Sequence, residues 1–176
     1  MNKIYITLLF AFFLVVIDSI GQEAVAPAIK WYSFEDGVAA VQKTKKKMFV
    51  DVYTDWCGWC KKMDASTFQD PDVVKYMNDH FVAVKLDAEQ DKEILFNGYT
   101  YKLLPSTRKG THELALSLLK GNASYPSFVF MDQDLKRIRI SPGFKQAPQF
   151  LNELKFAKEE AYRKLPYEAY ASAGGQ

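Results

Sequence analysis

The feature that most limits what this chain can fold into is the run Trp56-Cys57-Gly58-Trp59-Cys60-Lys61, which holds both of its cysteines, three positions apart. It follows Met48-Phe49-Val50-Asp51-Val52-Tyr53, an apolar, β-prone run suited to a central strand. It also opens a segment from Cys57 to about Thr67 that reads as a helix. A Cys-x-x-Cys at such a passage from strand to helix is a redox signal. A helix N-terminus presents unpaired N–H groups and the positive end of its dipole, which favour a thiolate on Cys57. Cys60, one turn along the same helix face, is placed to attack a mixed disulfide formed at Cys57. Zinc is the rival reading, but a structural site wants four ligands and only His80 and His112 add to the two cysteines, so no metal is expected. An inert structural disulfide is the other alternative, although a loop this short takes little entropy from the unfolded chain.

Around the motif the chain reads as one α/β domain. With 176 residues, 48% of them hydrophobic, it can bury a core without a disulfide framework. Trp31-Tyr32-Ser33 is a short strand, and Ser33 with Asp36 caps a helix running to about Lys45. Lys43, Lys45, Lys46 and Lys47 read as the solvated, cationic end of that helix. Asp70-Pro71 opens the next helix, and Phe81 to Asp87 is a second core strand with Lys85 inside it. Asn97-Gly98 between β-prone runs predicts a hairpin within Glu93 to Leu104. Pro105 to Gly110 is loop, and Thr111 leads into a short helix closed near Gly121, in which His112 is read as a surface residue. Ser127 to Met131 and Lys136 to Ile140 are strands, and Pro148 starts a final helix. The order predicts one mixed sheet between helices, in a domain over 22–170 with an insertion at about 91–122. Residues 171–176 are expected to be a disordered tail.

The first residues have a separate logic. Met1-Asn2-Lys3 precedes an apolar run from Ile4 to Ile17, and Ser19-Ile20-Gly21 offers small residues for cleavage before Gln22, so residues 1–21 read as a signal peptide. The run is short for a membrane span, which predicts an exported chain with no stable membrane insertion after cleavage. Lys and Arg total 23 against 21 Asp and Glu, a formal charge of +2 that gives no ground for a nucleic-acid partner.

With these motifs at these spacings, the stretch from about Trp31 to Leu165 resembles the thioredoxin superfamily. The resemblance implies a thioredoxin fold: a central mixed sheet flanked by helices, with the hairpin and short helix inserted before a strand that follows a cis proline. It implies a thiol-disulfide oxidoreductase in which Cys57 and Cys60 are the catalytic dithiol and no other cofactor is needed. Asp51, six residues before Cys57, and Lys85 in the next core strand match the pair that assists proton transfer at the resolving cysteine. A carboxylate in an apolar strand should in any case hold its proton tightly. Pro126 matches the proline that faces the cysteines, leaving the backbone of Tyr125 to pair with an extended substrate. Trp56, Gly58 and Trp59 are read as substrate-contacting. Three departures from thioredoxin itself bear on substrate range and redox potential: Gly58-Trp59 in place of Gly-Pro, Tyr53 where thioredoxin has Trp, and a longer stretch between Asp87 and Pro126. Export and the Trp-Cys-x-x-Cys-Lys form look more like envelope proteins, including the thiol-donating domains of transmembrane reductant conduits. The expectation is therefore a periplasmic or extracellular reductase of protein disulfides, recharged by a membrane thiol donor. An oxidase or isomerase, or a non-catalytic binding module, is the alternative.

Overall fold

The computed structural model of the chain describes residues 28–105 and 110–174. The stretch read as a signal peptide, most of the Pro105–Gly110 loop and the last two residues lie outside them. Five strands form the main sheet: β1 (Trp31–Tyr32), β2 (Lys47–Tyr53), β3 (Phe81–Asp87), β8 (Ser127–Met131) and β9 (Arg137–Pro142). Their order is β1-β3-β2-β8-β9. The pairs β1–β3 and β2–β3 are parallel, while β2–β8 and β8–β9 are antiparallel. This is the mixed sheet expected of a thioredoxin fold. The helices are α1 (Phe34–Thr44), α2 (Gly58–Ala65), α3 (Pro71–His80), α4 (Glu113–Leu118), α5 (Ala147–Lys158) and α6 (Tyr167–Ser172).

Side chains on a strand alternate between faces, and in β2 that alternation decides where the chemistry goes. Met48, Val50 and Val52 enter a core cluster with Phe34, Val84 and Leu86. Phe49 enters the opposite cluster with Met63, Phe68, Phe128 and Phe150. Asp51 shares the Phe49 parity and so faces the side packed by α2, α3 and α5. Phe49 lies 5.3 to 6.2 Å from the rings of Phe68, Phe128, Phe130 and Phe150. Each fully buried ring on this scale contributes about 1.5–3 kcal/mol, so the floor beneath α2 is rigid. On the other face, α1 comes close to β3 because Gly37 has no side chain: a Cβ there would meet Val84 Cγ2 at 2.3 Å.

Local signals account for most element ends. The Ser33 side chain accepts from the Asp36 amide and caps α1, and Asp70 caps α3 with Pro71 in the first turn. The Asn97-Gly98 hairpin forms between β4 (Ile94–Phe96) and β5 (Tyr99–Tyr101). Five expectations are corrected. The helix after the cysteines ends at Ala65, where Ser66 leaves helical geometry and a 3-10 turn follows at Thr67–Gln69, because the buried Thr67 hydroxyl turns in to the Lys145 carbonyl at 2.6 Å. Lys47 is not part of a solvated helix end: it begins β2, is buried, and pairs with Glu160 at 2.9 Å. Leu103–Leu104 (β6) pairs with Thr111–His112 (β7), so the segment after the hairpin is a ribbon of its own. His112 is fully buried, not a surface residue. Finally, residues 171 and 172 belong to α6, held by the buried Tyr170 against Phe156, so the expected tail does not begin at 171.

Candidate active site

Cys57 caps α2. Its backbone is extended, its sulfur accepts the Cys60 amide at 3.1 Å, and its carbonyl receives the Lys61 amide. The cap geometry directs a helix N-terminus at one sulfur, which stabilises negative charge there. Cys57 and Cys60 are joined as a disulfide, each only 3% exposed. Access runs over Trp56 and Trp59, which are 62% and 56% exposed, and over Gly58, where a Cβ would meet nothing within 4 Å.

The two tryptophans are held differently. The Trp56 indole N–H donates to Glu89 at 2.8 Å, and its ring meets Tyr125 edge-on at 6.0 Å. Tyr125 precedes Pro126 through a cis peptide bond, the isomer the resemblance implied, and Tyr125 stands against Trp56 of the cysteine motif. Trp59 leans on Phe144 at 5.4 Å, and the Lys62 ammonium covers both rings at about 5 Å. Neither Glu89 nor Phe144 was found from sequence. Glu89 lies in a turn after β3 with no motif of its own. Phe144 follows Gly143, whose positive φ turns the chain back toward α2, and no local pattern marks it.

On the sheet face packed by α2, Asp51 and Lys85 are register partners on adjacent parallel strands. The Lys85 Nζ lies 2.7 Å from Asp51 Oδ2, while Asp51 Oδ1 is buried with no hydrogen-bond partner. Burial raises the Asp51 carboxyl to about 6, against the pull of Lys85. For Lys85, burial works against the ammonium, but Asp51 and then Asp64 outweigh it and hold its pKa above the ordinary lysine value. Rings of Trp31, Tyr53 and Phe68 surround the ammonium at about 5 Å. Asp64 was not singled out from sequence, although it stands four residues after Cys60 and helical spacing would have placed it on the same face.

Comparison with known proteins agrees with this geometry. A family model described as Thioredox_DsbH, protein of unknown function, DUF255, matches residues 20–157. A solved structure described as DsbH oxidoreductase is similar over 78% of this chain and 90% of its own, at a TM-score of 0.52 and 18% identity. A putative disulphide-isomerase from Bacteroides thetaiotaomicron is similar over 74% of this chain and 91% of its own, at a TM-score of 0.53 and 27% identity. An uncharacterised Caenorhabditis elegans protein is 36% identical over 69 residues, 38% of this chain and 9% of that protein. The chain thus spans less than a tenth of the length of that curated relative. A thioredoxin fold with a Cys-x-x-Cys disulfide at a helix N-terminus has the chemistry of a thiol-disulfide oxidoreductase.

Proposed function

The chain belongs to the Thioredox_DsbH family, DUF255, and from that premise we propose that it reduces protein disulfides outside the cytoplasm. The observation that carries this reading is the Cys57–Cys60 disulfide at the start of α2, with an exposed tryptophan next to each cysteine in sequence, on a helix that Lys85 bridges to the buried Asp51 carboxylate. In the forward reaction the Cys57 thiolate attacks a client disulfide, bonds to one client sulfur and expels the other as a thiolate, which takes a proton from water. Cys60 then gives its proton to Asp51, and its sulfur displaces the client from Cys57. Two electrons pass to the client, and the Cys57–Cys60 disulfide remains. A membrane thiol donor returns the electrons by the same exchange in reverse, so no further cofactor or metal enters. The backbone of Tyr125, at the cis bond to Pro126 just ahead of β8, and the faces of Trp56 and Trp59 hold the client segment beside Gly58.

The test is trapping. Cys60→Ser leaves the attacking sulfur without a resolving partner and should accumulate mixed disulfides with client proteins, while Cys57→Ser should accumulate none. Equal trapping by both variants would exchange or dissolve these roles. Export is supported by Lys3 followed by the apolar run Ile4 to Ile17. Among the described residues no helix is long and apolar enough to cross a membrane. Secreted protein should begin near Gln22 on N-terminal sequencing, and recovery of intact Met1 in membranes would refute export as a soluble chain. An isomerase is the second reading, favoured by the likeness to the putative disulphide-isomerase. Restored activity of a scrambled substrate without net thiol consumption would select it.

A further inference from the structure

The Lys85 ammonium does not serve Asp51 alone. It lies between two carboxylates, 2.7 Å from Asp51 on β2 and 2.5 Å from Asp64 on α2. The two acids differ in their surroundings. The Asp51 side chain is 2% exposed, whereas that of Asp64 is 46% exposed. Asp64 also belongs to the helix that carries both cysteines, so the bridge ties the redox helix to the sheet at the level of the buried acid. We propose that Asp64 is a positioning residue of this site: it holds the Lys85 ammonium between two carboxylates and so sets how readily Asp51 exchanges its proton. The inference rests on the proposed part of Asp51 in disulfide exchange.

The electrostatics have a definite sign. A cation shared by two anions neutralises each less than it would neutralise one, and a second carboxylate nearby disfavours ionisation of the first. Asp64 therefore works against Lys85 and with burial, keeping Asp51 protonated to higher pH than a simple Asp51–Lys85 pair would. Among the described residues, Lys85 is the cation that acts on Asp51. On β2 the neighbouring ionisable group is Tyr53, whose phenol is pushed up by burial and by Asp87. From β1 and the 3-10 turn, Trp31 and Phe68 present rings to Lys85. The antiparallel neighbour of Asp51 on β8 is Phe128; from α2 the charge that acts on Asp51 is that of Asp64, while Lys62 is seated over the Trp59 and Phe144 rings. Asp64 is the one exposed member of the triad, so it is also the member that solvent and salt reach first.

The experiment is a titration of the Asp51 carboxyl in the full-length oxidised protein by carbon-13 NMR, for wild type, Asp64→Asn and Asp64→Glu. Asp64→Asn keeps an acceptor for Lys85 but removes the charge, and should weaken the proton affinity of Asp51 at least about threefold, a fall of about half a pH unit. Asp64→Glu should restore the wild-type midpoint. An unmoved midpoint in Asp64→Asn overturns the role given to Asp64. The pH profile of mixed-disulfide resolution in the same variants separates this from failure of the underlying reading. A shift of the profile matching that of the carboxyl supports both, and a titration shift with an unmoved rate profile overturns the part of Asp51 in the exchange and that of Asp64 with it.

Discussion

Asp51 is the residue whose placement costs most and explains most. An unpaired carboxylate in an apolar strand would be prohibitive, and this one is tolerated because Lys85 takes one oxygen while the other is left without a partner. Its pKa rises from 3.8 to about 6. The folded carboxyl binds its proton more tightly than the unfolded one, so stability is lost as pH climbs from about 4 to about 6. A shift of about two units corresponds to about 3 kcal/mol. Asp51→Asn should recover part of this, since Lys85 keeps Asp64 as a partner. At pH 7.5 the oxidised variant is expected to be about 1–3 kcal/mol more stable than wild type to urea, with the gain vanishing near pH 4. Turnover of a disulfide substrate should fall at the same time. A variant that is destabilised at both pH values would show that the carboxylate is held for packing rather than for proton transfer.

Among the elements, the insertion is held together by one buried imidazole. His112 caps α4: its Nδ1 accepts the Leu114 amide at 3.2 Å, which leaves the Nε2 hydrogen for the Lys92 carbonyl at 3.1 Å. Its backbone amide meanwhile donates to Ala88 at 2.7 Å. The side chain thus joins two stretches of the insertion, and the backbone of the same residue joins them to the chain just after β3. His112→Ala should cost about 1–3 kcal/mol, from a lost cap and a new void. Hydrogen exchange should accelerate over 92–104 and 111–118 while β2 and β3 stay protected, and a uniform rise would show that the insertion does not open on its own. Sequence made the hairpin legible because Asn97-Gly98 is a local instruction, and the caps at Ser33 and Asp70 were legible for the same reason. His112, the β6–β7 ribbon and the buried Lys47 were not. Each is decided by a partner far along the chain, and propensity carries no trace of Lys92 or Glu160. At the active site the cysteines and the Asp51–Lys85 pair were readable from spacing and resemblance, whereas Glu89 and Phe144 reach the tryptophans by tertiary folding alone.

For the whole molecule, the direction of electron flow is written in the balance between oxidised and reduced folds. Folding that favours the disulfide lowers its reduction potential, and by the same cycle makes the oxidised protein more stable than the reduced one; about 30 mV corresponds to about 1.4 kcal/mol. A strong oxidant requires the reverse, a reduced form stabilised by a heavily favoured thiolate. Here the thiolate of Cys57 gains the α2 terminus and the Cys60 amide. The Lys62 ammonium, which could add to this, is instead seated over the Trp59 and Phe144 rings. Asp51, buried on the sheet face that α2 covers and linked to that helix through Lys85 and Asp64, opposes a further negative charge on that side when it is ionised. The oxidised protein is therefore expected to be more resistant to urea than the reduced protein by about 1–3 kcal/mol, and equilibrium against glutathione should give a potential near that of thioredoxin, about −270 mV. The two measurements must agree in sign because they close one cycle. A reduced form that outlasts the oxidised one, with a potential near −120 mV, would make the protein an oxidase and reverse the proposed direction.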